Sequence, residues 1–227
     1  MIGVFDSGVG GLISYKELRR LLPRTDLIYL ADRKNAPYGT KSKEETVRLV
    51  RAVVSRLKSF GCEKILMACC TASSVYGELD EEDKRLCLPI ITPSAKIGAH
   101  YSRIAVIATE RTVKSGVFVR EIRNLSPSAT CRQKPLPRLV TLVENGLTDG
   151  RCDKEGKIYL DALAEEIREF HPDALVLGCT HFAHVEKELQ NRLPGVRIIN
   201  PAVEGARALA GLVHESLYES GKNTYTN

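Results

Sequence analysis

The sequence predicts an α/β protein built as two similar, doubly wound parallel-sheet domains, related by a pseudo-twofold axis with a cleft between them. Three observations predict it. Short runs rich in Val, Ile and Leu alternate with longer amphipathic segments, the order that strand–helix–strand crossovers and a parallel sheet require. Those runs show little polar alternation, as strands covered on both faces do. The first half of the chain is also echoed in the second.

IGVF (2–5) is the first strand, followed by a Gly-rich loop and a helix near 11–22. LIYLA (27–31) is the second. The clearest helix, 43–60, carries Val47, Val50, Val54 and Leu57 at spacings of three and four, one apolar stripe on a helical period. It opens on Ser42-Lys-Glu-Glu45, a capping box, and stops at Gly61. KILMA (64–68), a helix over 73–86 and PIIT (89–92) complete the first half. The second half offers the strands IAVIA (104–108), ALVLG (174–178) and VRIIN (196–200). Helices are expected over 110–123, 155–170, 182–192 and 203–219, and the polar tail ESGKNTYTN (219–227) is expected to fray.

The echo pairs IGVFDSGVGGLIS (2–14) with IAVIATERTVKSG (104–116), each a strand and a small polar loop opening a helix. It then pairs ILMACCTAS (65–73) with LVLGCTHF (175–182), each a strand ending in cysteine. Two matches in one order point to a duplicated unit. The first domain is expected to comprise 1–93 plus 203–227, and the second 94–202.

Composition narrows the function. The 227 residues allow one large domain or two of about 100 residues, and 43% hydrophobic with 27% charged residues is ordinary globular content. Lys and Arg number 33 against 28 Asp and Glu, scattered, with no Trp and 6% aromatics. That lacks the basic stripe of a nucleic-acid binder. No apolar run approaches the roughly 18 residues of a membrane span. Met1 leads straight into IGVF without a signal-like segment, so a cytoplasmic location is expected. Seven cysteines, an odd number with no C-x-x-C pair, do not read as a disulfide framework or a zinc motif. Most read as small buried hydrophobes.

Cys69 and Cys179 read differently. Each directly follows a buried strand, and ligands of open α/β sheets bind beyond the carboxyl ends of strands. Helix N-terminal amides there are expected to favour the thiolate. If the two units face each other, the thiols flank one cleft and reach opposite faces of one carbon. Racemisation by two bases requires that arrangement; nucleophilic hydrolysis needs one thiol and an activating His.

FDSGVGGL (5–12), the stretch from Asp32 through Asn35-Ala-Pro37-Tyr38-Gly39, Ala68-Cys69-x-Thr71-Ala72-Ser73, LVTLVENG (139–146) and LGCTHF (177–182) together resemble glutamate racemases of the aspartate/glutamate racemase superfamily, in family order over essentially the whole chain. The resemblance implies interconversion of L- and D-glutamate with no cofactor and no metal, supplying D-glutamate for peptidoglycan. It also implies two α/β domains with the site between them, and a homodimer. Carried over by position, Cys69 acts on the D-enantiomer and Cys179 on the L-enantiomer, with Asp6 and His181 assisting. Asp6, Ser7, Pro37, Tyr38 and Gly39 line the substrate; Thr71 and Thr180 hold its carboxylates and amine. Asp32 and Glu144 match further acidic positions.

Each position has a plainer rival. Gly8, Gly10 and Gly11 would serve a tight turn, Asp6 a helix cap, Tyr38 loop packing, and Glu144 a solvated surface. The resemblance breaks at Cys70, another substrate-binding candidate, where the family usually carries Asn. Neighbours leaving a strand point to opposite sides, so only one of Cys69 and Cys70 is expected to face Cys179, and Thr71-Ala72-Ser73 aligns Cys69 there. Other functions stay open: an aspartate racemase or another thiol-dependent isomerase, a metal site on Cys179, His181 and His184, and a binding protein with activity impaired by Cys70.

Overall fold

The structure, a computed structural model, describes residues 1–223, with side chains described through Glu215. It holds two four-stranded sheets of the same topology. In the first, β1 (Ile2–Asp6) lies between β2 (Leu27–Ala31) and β3 (Lys64–Met67), and β4 (Cys87–Pro89) pairs with β3. In the second, β5 (Arg103–Ala108) lies between β6 (Thr130–Pro135) and β7 (Ala174–Gly178), with β8 (Arg197–Ile199) outside β7. Every pairing is parallel. All carboxyl ends within a sheet therefore face one way, which is where the loops discussed below emerge.

The first unit carries α1 (Leu12–Leu21), α2 (Lys43–Ser59), the single turn α3 (Cys70–Ser73) and α4 (Glu81–Leu86). α5 (Ile91–Gly98) leads from the first unit into the second, which carries α6 (Glu110–Ser115), α7 (Val117–Leu125), α8 (Pro137–Glu144), α9 (Lys154–Glu169) and α10 (Glu186–Arg192), and α11 (Pro201–Asn223) closes the fold. Ser42 caps α2 by accepting from the Glu45 amide, as the capping box predicts.

The side-chain alternation of each central strand divides the core into three. Phe5, Ile65 and Met67 face α2 with Leu49, Val53 and Leu57. Ile107, Leu175 and Leu177 face α8, α9 and α10 with Leu139, Leu160 and Leu189. The opposite faces, Val4 and Leu66 from one sheet and Ile104, Val106 and Val176 from the other, share one cluster with Leu18, Ile91, Phe118 and Leu209. The two sheets are thus joined by a common apolar layer of α1, α5, α7 and α11. This explains why β1, β5 and β7 read as unbroken apolar runs: both faces are covered.

Several elements differ from the sequence reading. PIIT is not a strand: β4 ends at Pro89, and Ile91 already opens α5. Short apolar runs do not separate a strand from a buried helical turn by periodicity. The helix expected over 73–86 is broken, because a 3-10 turn spans Tyr76–Glu78 and Asp80 starts α4 afresh by capping the Asp83 amide. The helix expected over 110–123 divides at Gly116, whose φ of 64° ends α6. Residues Thr180–Val185 form a 3-10 turn before α10. The strand β6 was not foreseen: TCRQKP is a half-exposed polar edge without an apolar signal. The expected frayed tail continues helical to Asn223, and the rest of it lies outside the described residues. Among the described residues no helix is long and apolar enough to cross a membrane.

Candidate active site

The carboxyl ends of both sheets open onto one cavity of about 590 Å³, within the usual range for small-molecule sites. The first unit contributes Ser7 and Gly8 after β1, Pro37, Tyr38 and Gly39 after β2, and Cys69, Cys70 and Thr71 after β3. The second contributes Thr109 and Glu110 after β5, Glu144 from α8, and Cys179, Thr180 and His181 after β7. Of the residues expected from sequence, only Asp6 and Asp32 stand behind the wall. Asp6 is fully buried; its Oδ1 accepts from the Gly8 amide at 2.7 Å and its Oδ2 from the Thr180 hydroxyl at 3.2 Å. Asp32 receives the Tyr38 hydroxyl at 2.6 Å and the Asn35 amide, so it orients Tyr38, itself 1% exposed.

The loops meet closely. A Cβ at Gly10 would lie 2.4 Å from Thr180 Oγ1, and one at Gly39 would lie 2.9 Å from Thr109 Cβ. Gly8, Gly10 and Gly11 all avoid positive φ, so the turn they form does not require glycine conformationally. Gly10 is needed for the approach of one unit to the other. Tyr29 steadies the same loop by donating to the Gly8 carbonyl at 2.8 Å.

The thiols differ in their neighbours. Cys69 Sγ lies 3.5 Å from Ser7 Oγ and accepts from the Ala72 amide at 3.5 Å. Cys179 Sγ lies 3.7 Å from His181 Nδ1, and His181 Nε2 lies 3.3 Å from Glu144 Oε1. With the ring proton on the Glu144 side, the Nδ1 lone pair faces the Cys179 thiol. Thr71 shares hydrogen bonds with Thr109 at 3.0 Å and Thr112 at 3.3 Å, so a chain of hydroxyls crosses from one unit to the other.

Two expectations need correction. Helix amides do not hold the thiols low. Burial pushes Cys69 up to about 11, with the charge of Asp6 adding to it, while Ser7 and the Ala72 amide oppose. Burial likewise raises Cys179 against the amides of His181 and Phe182. Desolvation outweighs the few amides that face either thiol. Nor does strand alternation exclude Cys70, because Cys69 is the last extended residue and Cys70 already begins α3. Both line the cavity, and burial drives Cys70 well above the ordinary thiol value, with the charges of Cys179 and Cys69 adding.

Burial also raises the Asp6 carboxyl above its ordinary 3.8, while Gly8, His181 and Thr180 pull it back. A carboxyl raised on folding loses stability as pH climbs from its unfolded value through its folded one. Asp6→Asn is therefore expected to gain in thermal midpoint over the wild type as pH rises from about 3 to 7. That gain should vanish below about pH 3, where Asp6 is protonated in both states; calorimetry at the two pH values checks it.

Thr109, Thr112, Arg33 and Glu110 escaped the sequence reading. The echo of the two units held the signal for Thr109, which follows IAVIA as Asp6 and Ser7 follow IGVF. The alternative metal set is not assembled: among the described residues no three His, Cys, Asp or Glu side chains are placed to hold an ion.

The profile of the Asp/Glu/Hydantoin racemase family matches residues 9–209. The chain belongs to that family. A glutamate racemase of Microcystis aeruginosa is 38% identical over 212 residues, 91% of this chain and 74% of that protein. Among solved structures, a glutamate racemase isoform of Bacillus anthracis superposes with a TM-score of 0.86 at 29% identity, over 95% of this chain and 82% of that one. The glutamate racemase of Francisella tularensis, solved in complex with D-glutamate, superposes with a TM-score of 0.83 at 28% identity, over 95% and 81% of the two chains. Racemase family members of this fold share the two parallel four-stranded sheets described above.

Proposed function

We propose that the chain is a glutamate racemase, an isomerase that interconverts L- and D-glutamate with two thiols and no cofactor. The observation that carries this reading is that Cys69 and Cys179, from matching strand ends of two sheets, line one cavity. The names of its relatives support glutamate as the substrate.

Cys69 as thiolate takes the α-proton of D-glutamate, leaving the electron pair on the α-carbon; the Cys179 thiol gives its proton to the opposite face, and L-glutamate results. The reverse reaction exchanges the roles. Asp6 and His181 assist the two thiols, and Ser7, Cys70, Thr71, Thr180, Pro37, Tyr38 and Gly39 form the substrate's surroundings. Raised thiols suit this chemistry, because the acceptor must approach an α-proton far less acidic than itself, and each unit of mismatch costs about 1.4 kcal/mol. A thiolate is formed when the substrate's ammonium enters and offsets the desolvation. Aimed hydroxyls and strand-end amides stabilise the carbanion and carboxylate in a water-poor cavity. Closure of one unit (1–93 with 203–227) on the other (94–202) excludes that water. The product serves peptidoglycan synthesis, and so cell-wall shape, in the cytoplasm, and the protein works as a homodimer.

In deuterated water the wild-type protein is expected to replace the α-proton of L- and D-glutamate with deuterium while inverting the centre, followed by proton NMR. Exchange confined to aspartate, or binding of glutamate without exchange, would overturn the reading.

A further inference from the structure

Arg33 has no part in the chemistry above. It stands one residue beyond Asp32 in a 3-10 turn, exposed at the cavity rim. Among the described residues it is the only Lys or Arg lining the cavity. The two carboxylates that line the cavity have other partners: Glu144 pairs with His181, and Glu110 faces Lys114 at 3.9 Å. Its positive charge is therefore not taken up by an ion pair among the described residues.

The interior wall offers hydroxyls and thiols, from Ser7, Thr71, Thr109, Thr180 and the three cysteines. These suit an α-carboxylate and ammonium but carry no fixed positive charge. A dicarboxylic amino acid brings a second carboxylate at the far end of its side chain, and a net charge of about −1 at neutral pH. We propose that Arg33 is a specificity-determining residue that draws in and receives this side-chain carboxylate at the rim. This rests on the reading of the substrate as a dicarboxylic amino acid. The planar fork of a guanidinium matches a carboxylate bidentately, as an ammonium does not. Its exposure sets the size of the effect, since charges in solvent attract weakly and salt screens them over about 10 Å at 0.1 M.

The test compares the wild type with Arg33→Gln and Arg33→Lys, measuring kcat and KM for D-glutamate at low and high salt. Arg33→Gln is expected to raise KM about fivefold at low salt, the size of one exposed charge contact, with kcat within about twofold, the scatter of a site whose reacting groups are untouched. High salt should close the gap, and Arg33→Lys should recover part of it. Calorimetric titration of D-glutamate into the same proteins reads the same charge without turnover. A KM and a salt dependence unchanged in Arg33→Gln would overturn the assignment while leaving racemisation standing. Binding weakened fivefold in a protein that racemises nothing would uphold Arg33 and overturn the functional reading instead.

Discussion

Replacing Cys69 or Cys179 by Ala is expected to lower glutamate racemisation by about 10³-fold or more, the upper part of the range for removing a positioned acid or base. Loss of either thiol leaves a proton that can be taken but not returned to the other face, so both directions fail together. Cys70→Ala is the internal control. Cys70 shares the cavity wall, yet it packs in the central apolar cluster, whereas Cys69 has Ser7 and the Ala72 amide on its sulfur. Its removal is expected to leave measurable turnover, because Cys70 neither takes nor returns the α-proton. Optical rotation of either enantiomer reads all three variants. Loss of activity in Cys70→Ala with activity retained in Cys69→Ala would exchange their roles.

Gly10→Ala is expected to damage the site through a single methyl group. The added carbon would stand 2.4 Å from Thr180 Oγ1 and 2.8 Å from its Cβ. Thr180 must then leave Asp6, or the units must part, and a displacement near 1 Å at reacting groups costs about 100-fold in rate. Overpacking of this kind also destabilises by about 1–3 kcal/mol. Gly8→Ala supplies the contrast, because its methyl would meet only Asp6 Oδ1 at 3.8 Å, an ordinary contact. Its unfolding midpoint is expected to match the wild type, and equal denaturation curves for the two variants would refute the argument from close approach.

What the sequence made legible follows from burial. Strands β1, β5 and β7 announce themselves because helices cover both faces, whereas β6 is a polar sheet edge whose TCRQKP carries no pattern to read. The run at 89–92 misleads because Ile90 and Ile91 are buried for a helical reason, in the layer between the sheets. Helix breaks at Gly116 and Asp80 were available in principle: one residue takes a positive φ and the other caps a new start. At the site, the two cysteines stood out because strand ends and an internal echo marked them. The direction of their titration did not, since nearby amides are visible in a sequence and depth of burial is not. Gly10 shows the same limit, for its partner Thr180 lies 170 residues away in the chain.

The most direct test of two thiols acting on opposite faces follows α-proton washout in deuterated water, separately for each enantiomer, in Cys69→Ala and Cys179→Ala. Cys179→Ala should exchange only D-glutamate and Cys69→Ala only L-glutamate, each with retained handedness. Exchange of both enantiomers by either variant would contradict it, because one remaining thiol would then be reaching both faces of the same carbon.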